Sequence, residues 1–347
     1  MRAWISVVIL GAVLSCRGSS REEHPAMVPL PARVTGANLR AVGDRRRGYG
    51  TDRARETMRR LMGMGVNTLG LLMEGRMENV HDTEISLPSR AELQALERGL
   101  ADANALGLAT VLIPHLFLDD GTWRGEIRWP DPENANAWWS DYEAFILRAA
   151  EIADRSGTTV LSLGVELKAM SAEPGAKVRL ARVAARVREV YRGLLTYNAN
   201  WDEGEQVGFW DLVDVAGVNG YYPLVPDPVR GAGQVAVRLG KLAALARRPL
   251  VVLEVGYRAG PASNVRPWEW PEHIEGAQVD DGAQAAAYAA VLSEWLAVRG
   301  VQGLMFWVVP TDPDDPASEP RHGFNPLNRP AEEVIRRAFL GQQRPDT

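Results

Sequence analysis

Two glutamates stand where buried strands would end. Pro249–Tyr257 reads PLVVLEVGY, an apolar run that delivers Glu254 and is followed by glycine and tyrosine. Thr159–Leu167 (TVLSLGVEL) has the same form and delivers Glu166. Short valine- and leucine-rich runs of this kind read as buried parallel strands. A carboxylate at the outgoing end of one is costly to bury unless it is paired or used. Two of them suggest a paired-carboxylate site.

The other outgoing ends carry matching chemistry. His115 ends a third apolar run, with Trp123 and Arg124 in the loop behind it. Lys168 follows Glu166; Asn198, Asn200 and Trp201 follow the next run; Asn219, Tyr221 and Tyr222 the one after. Tyr257, Trp268 and Trp270 follow Glu254, and Trp307 stands in the last run. Tryptophan and tyrosine faces stack on the C–H surfaces of sugar rings, while amides and imidazole bond hydroxyls. Adjacent Tyr221 and Tyr222 point opposite ways if extended, so one of them faces the site, and Tyr221 is favoured. Phosphate chemistry would need a glycine-rich cradle at a helix start, and none is present.

Positioning these residues takes alternating strands and helices. Candidate strands are Val34–Arg40, Gly65–Met73, Ala109–Phe117, Thr159–Leu167, Leu194–Asn200, Asp214–Tyr222, Pro249–Tyr257 and Val301–Val309. Helical spacing covers Asp52–Met64 with Asp52 as N-cap, Pro88–Leu106, Asn134–Ser156, Ala176–Tyr191, Gln234–Ala246, Gln284–Arg299 and Pro330–Leu340. Such units, with no break in composition, predict one (β/α)8 TIM barrel over residues 33–342. The long segments 118–132, 258–282 and 311–329 all follow strands, on the face where barrel enzymes build their sites.

The 347 residues fit one large barrel with additions, and a net charge of -5 argues against a nucleic-acid partner. The single cysteine, Cys16, excludes a disulfide framework and a cysteine metal site. Arg2, the short apolar stretch Trp4–Leu14 and then Val13-Leu14-Ser15-Cys16 resemble a lipoprotein signal. Residues 1–16 are therefore expected to be a signal peptide, with lipidation at Cys16, residues 17–32 a tether, and the protein lipid-anchored in a bacterial cell envelope. An ordinary secretory signal is the plainer alternative. No cofactor or metal is expected, and the barrel is expected to be a monomer. Asp312–Asp315 lacks the glycine and spacing of a calcium loop and reads as a solvated turn. Arg45–Arg47 reads as a solvated loop, and Trp138-Trp139, on a helix, as packing.

The chain resembles glycoside hydrolase family 113, retaining endo-β-1,4-mannanases of clan A, from about Thr35 to Phe339. GVNTLGLL, IPHLFLDDGTWRGEI, LGVEL, LTYNANWD, FWDLVDVAGVNGYYPL, LEVGYR, the Pro267-Trp268 pair, FWVV and GFNPLNRPAEEVIRRAF carry the resemblance by order and spacing. It implies Glu166 as acid/base, Glu254 as nucleophile, Tyr221 or Tyr222 as the tyrosine bonding the nucleophile, and Trp307 as the sugar floor. Two positions depart from the pattern. Val165 stands where the clan has asparagine before the acid/base, and Ile113 where the family often has lysine. Asn198, Asn200 or Asn219 would then have to reach the sugar 2-hydroxyl. The expected reaction is double displacement on β-1,4-linked mannan-type polysaccharide. Alternatives are hydrolysis or transglycosylation of another β-glycan, or an inactive glycan-binding surface lipoprotein.

Overall fold

The computed structural model describes residues 25–129, 131–274 and 276–342, so the expected signal and Cys16 lie outside the described residues. Eight parallel strands close a barrel in chain order: β1 (Val34–Arg40), β2 (Thr68–Met77), β3 (Ala109–Leu118), β4 (Val160–Val165), β5 (Leu194–Ala199), β6 (Val215–Asn219), β7 (Leu250–Val255) and β8 (Val301–Pro310). Around it lie α1 (Asp52–Gly63), α2 (Arg90–Ala105), α3 (Pro132–Ser156), α4 (Lys168–Ser171), α5 (Ala176–Val190), α6 (Pro228–Ala246), α7 (Asp281–Trp295) and α8 (Pro330–Gln342). The β5–β6 connection carries only the 3-10 turn Trp210–Leu212. This is the TIM barrel that the strand and helix spacing predicts. None of the described helices is long and apolar enough to cross a membrane.

Branched side chains fill the barrel interior. Val111 and Ile113 of β3, Val160 and Val165 of β4, Val251 and Leu253 of β7 and Met305 of β8 form one buried cluster. Each such side chain contributes about 1.5–3 kcal/mol when fully buried. Ile113 and Val165, the two departures from the family pattern, therefore lie in the same apolar plug. Polar side chains enter the interior as well, Asn38 among them, which donates to the Leu253 carbonyl at 2.8 Å. Gly70 makes room for it, since a Cβ there would lie 2.1 Å from Asn38 Oδ1.

Where structure and sequence reading differ, local caps explain it. Thr51, not Asp52, caps α1, accepting from the Ala54 amide at 3.3 Å; Asp52 sits in the first turn and pairs with Arg55. Helix α6 begins at Pro228 because Asp227 caps it and proline suits the first turn; Gly231 and Gly233 near its start obscure the apolar spacing. Asp280 likewise caps α7 earlier than the spacing indicates. Strand β2 runs on to Met77 because β3 pairs with it throughout, up to Met77 opposite Leu118. Strand β6 stops at Asn219, so Tyr221 and Tyr222 are loop residues.

Two segments expected to be solvated are tied down. The Ala26, Val28 and Pro31 carbonyls accept from Asn104, Thr159 and Gln302, and Leu30 packs against the interior cluster, so the polar leader is held to the barrel from Ala26 onward. Asp312 is buried and ion-paired with Arg47 at 3.2 Å and Arg53 at 3.5 Å, and Asp314 pairs with Arg60 at 3.2 Å. The aspartate turn and Arg47 thus staple the β8 loop to α1. Trp138 and Trp139 are buried as packing, Trp138 stacked on Tyr142 at 4.6 Å.

The β1–β8 seam is the tightest approach. A Cβ on Gly303 would meet the Val34 carbonyl oxygen at 1.9 Å, a contact with backbone that cannot rotate away. Gly303→Ala is expected to cost about 3 kcal/mol in urea unfolding at an unchanged m-value; a loss below ~0.5 kcal/mol would show that the seam opens freely.

Candidate active site

All the strand ends that carry polar and aromatic side chains open onto one cavity of about 770 Å³ at the C-terminal face of the barrel. Glu166 and Glu254 both line it, with His115, Trp123, Arg124, Asn200, Trp201, Tyr221, Trp268 and Trp307.

Glu166 follows the last residue of β4 and takes a left-handed backbone, φ 52°. That conformation costs a non-glycine residue roughly 1–2 kcal/mol. Its amide nonetheless stays in the ladder, donating to the Asn198 carbonyl at 2.8 Å. Its carboxyl accepts three N–H groups. Arg124 Nη1 at 2.5 Å and Trp123 Nε1 at 3.0 Å reach Oε2, and Asn219 Nδ2 at 2.9 Å reaches Oε1. Arg124 is itself fixed: its Nε donates to the Leu116 carbonyl at 2.7 Å, and its guanidinium lies 5.6 Å over the Phe117 ring. Lys168, two residues past Glu166, pairs with Asp202.

Glu254 lies within β7 and is buried. Tyr221 donates to its Oε2 at 3.1 Å, while Oε1 has no partner among the described residues. Burial, then the charge of Glu166, pushes the Glu254 carboxyl up to about 8, against the opposing pull of Arg124, Tyr221 and Asn219. Asn219 thus bonds one glutamate and eases ionisation of the other. The two carboxyls face each other across a single amide.

The walls are aromatic. His115 is buried and lies 4.4 Å from the Phe117 ring and nearly parallel to Trp307 at 6.2 Å. Burial, then Arg124, holds its imidazole well below the usual histidine range, so it is a neutral hydrogen-bonding group. Trp307 is closed in by the edge of Trp270 at 6.5 Å. Across the cavity Trp201 and Trp268 stack at 5.8 Å with planes 14° apart, and the outer ring, Trp268, is 43% exposed.

Two expected site residues fall outside. Tyr222 points away from the cavity and packs between Trp201 and Trp295. Asn198 is fully buried in β5 and gives the site its backbone carbonyl, not its amide. Asn200 lines the cavity, but its Nδ2 is engaged by Asp202 at 2.7 Å. Sequence reasoning missed Arg40, Phe117 and Phe324 in the lining. Arg40 is the last residue of β1, so the strand-end rule applied there would find it. Phe117 lies two residues beyond His115, on the same strand face.

A carboxylate pair at the C-terminal face of a closed barrel, walled by tryptophan and neutral imidazole, defines a glycoside hydrolase acting on O-glycosyl bonds. The model of glycoside hydrolase family 113 matches residues 41–321, and the chain belongs to that family. It is 30% identical to the GH113 beta-mannanase of Alicyclobacillus acidocaldarius, solved in complex with ManMIm, with a TM-score of 0.78 over 89% of this chain and 97% of that one. A GH113 beta-1,4-mannanase solved as a complex has a TM-score of 0.79 at 22% identity, covering 90% of this chain and 99% of the other. A family 5 mannosidase from Rhizomucor miehei, in complex with mannosyl-fructose, reaches a TM-score of 0.59 at 13% identity over 89% and 92% of the two chains. These last two likenesses establish the fold alone. Among curated proteins none matches the chain in sequence.

The raised carboxyl has a measurable consequence. Folded Glu254 keeps its proton up to about pH 8, whereas an unperturbed glutamate loses it near 4.5. The stability it contributes is complete below the lower value and drains away as pH rises through the higher one. Glu254→Gln, which never ionises, is expected to melt increasingly above wild type between pH 5 and pH 8, by a few kcal/mol at the upper end. A melting difference that stays constant over this range would place the proton elsewhere.

Proposed function

We propose that this protein cleaves β-1,4-linked mannan-type polysaccharide with retention, Glu254 acting as nucleophile and Glu166 as acid/base. The observation that carries the reading is the carboxyl pair facing across Asn219 inside an aromatic cavity. Membership of family 113, and a beta-mannanase as a relative at 30% identity, support the substrate class.

In the first step a Glu254 oxygen bonds the anomeric carbon as the glycosidic C–O bond breaks, and the leaving oxygen takes its proton from Glu166. In the second, water attacks the same carbon, gives its proton to Glu166, and the Glu254–sugar bond breaks. Two buried carboxyls this close hold one proton between them more readily than none. The resting contacts set the positive charge of Arg124 beside Glu166, while burial pushes the Glu254 carboxyl up. Productive binding must reverse this. The leaving oxygen has to take the place on Glu166 Oε2 that Arg124 and Trp123 occupy, while Tyr221 remains to stabilise the Glu254 anion. Trp307 and His115 offer a platform and a hydroxyl partner, and Trp268 a stacking surface at the rim.

The roles are separable. Glu254→Ala and Glu166→Ala are each expected to lower mannan hydrolysis by about a thousandfold or more. On an activated aryl β-mannoside, azide should rescue Glu254→Ala to the α-azide and Glu166→Ala to the β-azide. Opposite products would exchange the two roles, and glycan binding without product by the wild type would mark an inactive binder. The sequence before Pro25 supports export and lipid attachment at Cys16. Cys16→Ser is then expected to abolish palmitate labelling and partition into detergent; retention of both would leave an uncleaved or unmodified signal.

A further inference from the structure

Behind Glu166, away from the cavity, lies a buried carboxylate that the reaction itself does not use. Glu203 is 2% exposed and stands just after β5. Its Oε1 accepts the Tyr197 hydroxyl at 2.6 Å, its Oε2 accepts the Asn200 amide at 2.8 Å, and the Ser171 side chain of α4 also bonds it. Tyr197 is fully buried, and its oxygen in turn accepts the Leu167 amide at 3.2 Å. The peptide on one side of Glu166 is therefore fixed to the Asn198 carbonyl, and the peptide on the other to the Tyr197 phenol.

This matters because of the backbone between those peptides. Glu166 holds φ 52°, which nothing in its own side chain favours. The strand before it is shaped to admit the phenol: a Cβ on Gly164 would sit 2.9 Å from the Tyr197 ring and 2.7 Å from the Tyr142 hydroxyl. A lone tyrosine would satisfy Leu167, but a phenol whose proton is committed to a carboxylate presents both remaining lone pairs and more negative charge to it. Burial pushes the Glu203 carboxyl up to about 7, while its hydrogen-bond donors draw it down.

We propose that Glu203 and Tyr197 are positioning residues that hold Glu166 in its left-handed conformation and so aim its carboxyl at the leaving oxygen. The inference rests on Glu166 being the acid of the reaction above. Its signature is selective: loss of aim harms substrates whose leaving group needs a proton and spares those whose leaving group does not.

The test compares kcat/KM, which reports the first chemical step, for a mannan oligosaccharide and for a dinitrophenyl β-mannoside. Purified full-length Tyr197→Phe and Glu203→Gln are measured beside Glu166→Ala. Because both substrates are assayed on one sample, their ratio does not depend on the fraction folded. In Tyr197→Phe and Glu203→Gln the ratio of oligosaccharide to dinitrophenyl rates is expected to fall about tenfold, with KM for the oligosaccharide within about twofold of wild type. A proportional loss on both substrates would overturn the proposal and leave Glu203 as a structural carboxylate. If the ratio for Glu166→Ala itself does not move, the assignment of the acid fails instead.

Discussion

Everything at the mouth of this barrel answers to one electrostatic constraint: two carboxyls, buried and one amide apart, cannot both be charged cheaply. Water that would screen them in the open is replaced by tryptophan, phenylalanine and a neutral imidazole, so each group feels the other strongly. The chain meets the cost unequally. Glu166 receives a guanidinium, an indole N–H and an amide; Glu254 receives a phenol and is left with one oxygen unpartnered. That asymmetry gives the two carboxyls different surroundings, and it is Glu254 whose carboxyl burial pushes up.

The asymmetry of the resting site runs opposite to the order in which a retaining reaction uses the pair. Arg124 is anchored beside Glu166 by the Leu116 carbonyl and the Phe117 face. The contact works as a store of charge: it keeps Glu166 oriented without substrate, and a glycosidic oxygen entering between them both removes a donor and supplies an acceptor.

Much of this was legible in the sequence because strand ends are the one place where burial and polarity conflict visibly. PLVVLEVGY and TVLSLGVEL announce their glutamates by the apolar runs before them. The same rule finds His115, Asn219 and Trp307. It fails where a residue acts through its backbone, as Asn198 does, or where chain direction changes after the strand, as at Tyr222. It also cannot see Glu203, six residues past Tyr197 on a segment with no apolar run of its own. Ion pairs across long separations, such as Arg47 with Asp312, are invisible for the same reason: spacing reports neighbours along an element, and these partners meet only through the closed barrel.

The two departures from the family pattern make sense together once the interior is seen. Ile113 and Val165 come from adjacent strands and enter the same apolar cluster beneath the pair. Asn198 stands opposite Val165 in the sheet register, and its amide is buried with no partner among the described residues, a cost of about 1–3 kcal/mol. Ile113 and Val165 are both apolar, and among the described residues the side-chain amide bonding the Glu166 carboxyl is that of Asn219 on β6. The amide contact to Glu166 therefore comes from across the mouth, from the strand beside Glu254. A single side chain on that strand can then sense both charges, which an asparagine next to Glu166 in the chain would be badly placed to do. The loss at Val165 is therefore a relocation of hydrogen bonding, and it leaves the carboxyl pair better coupled than the sequence departure alone implies.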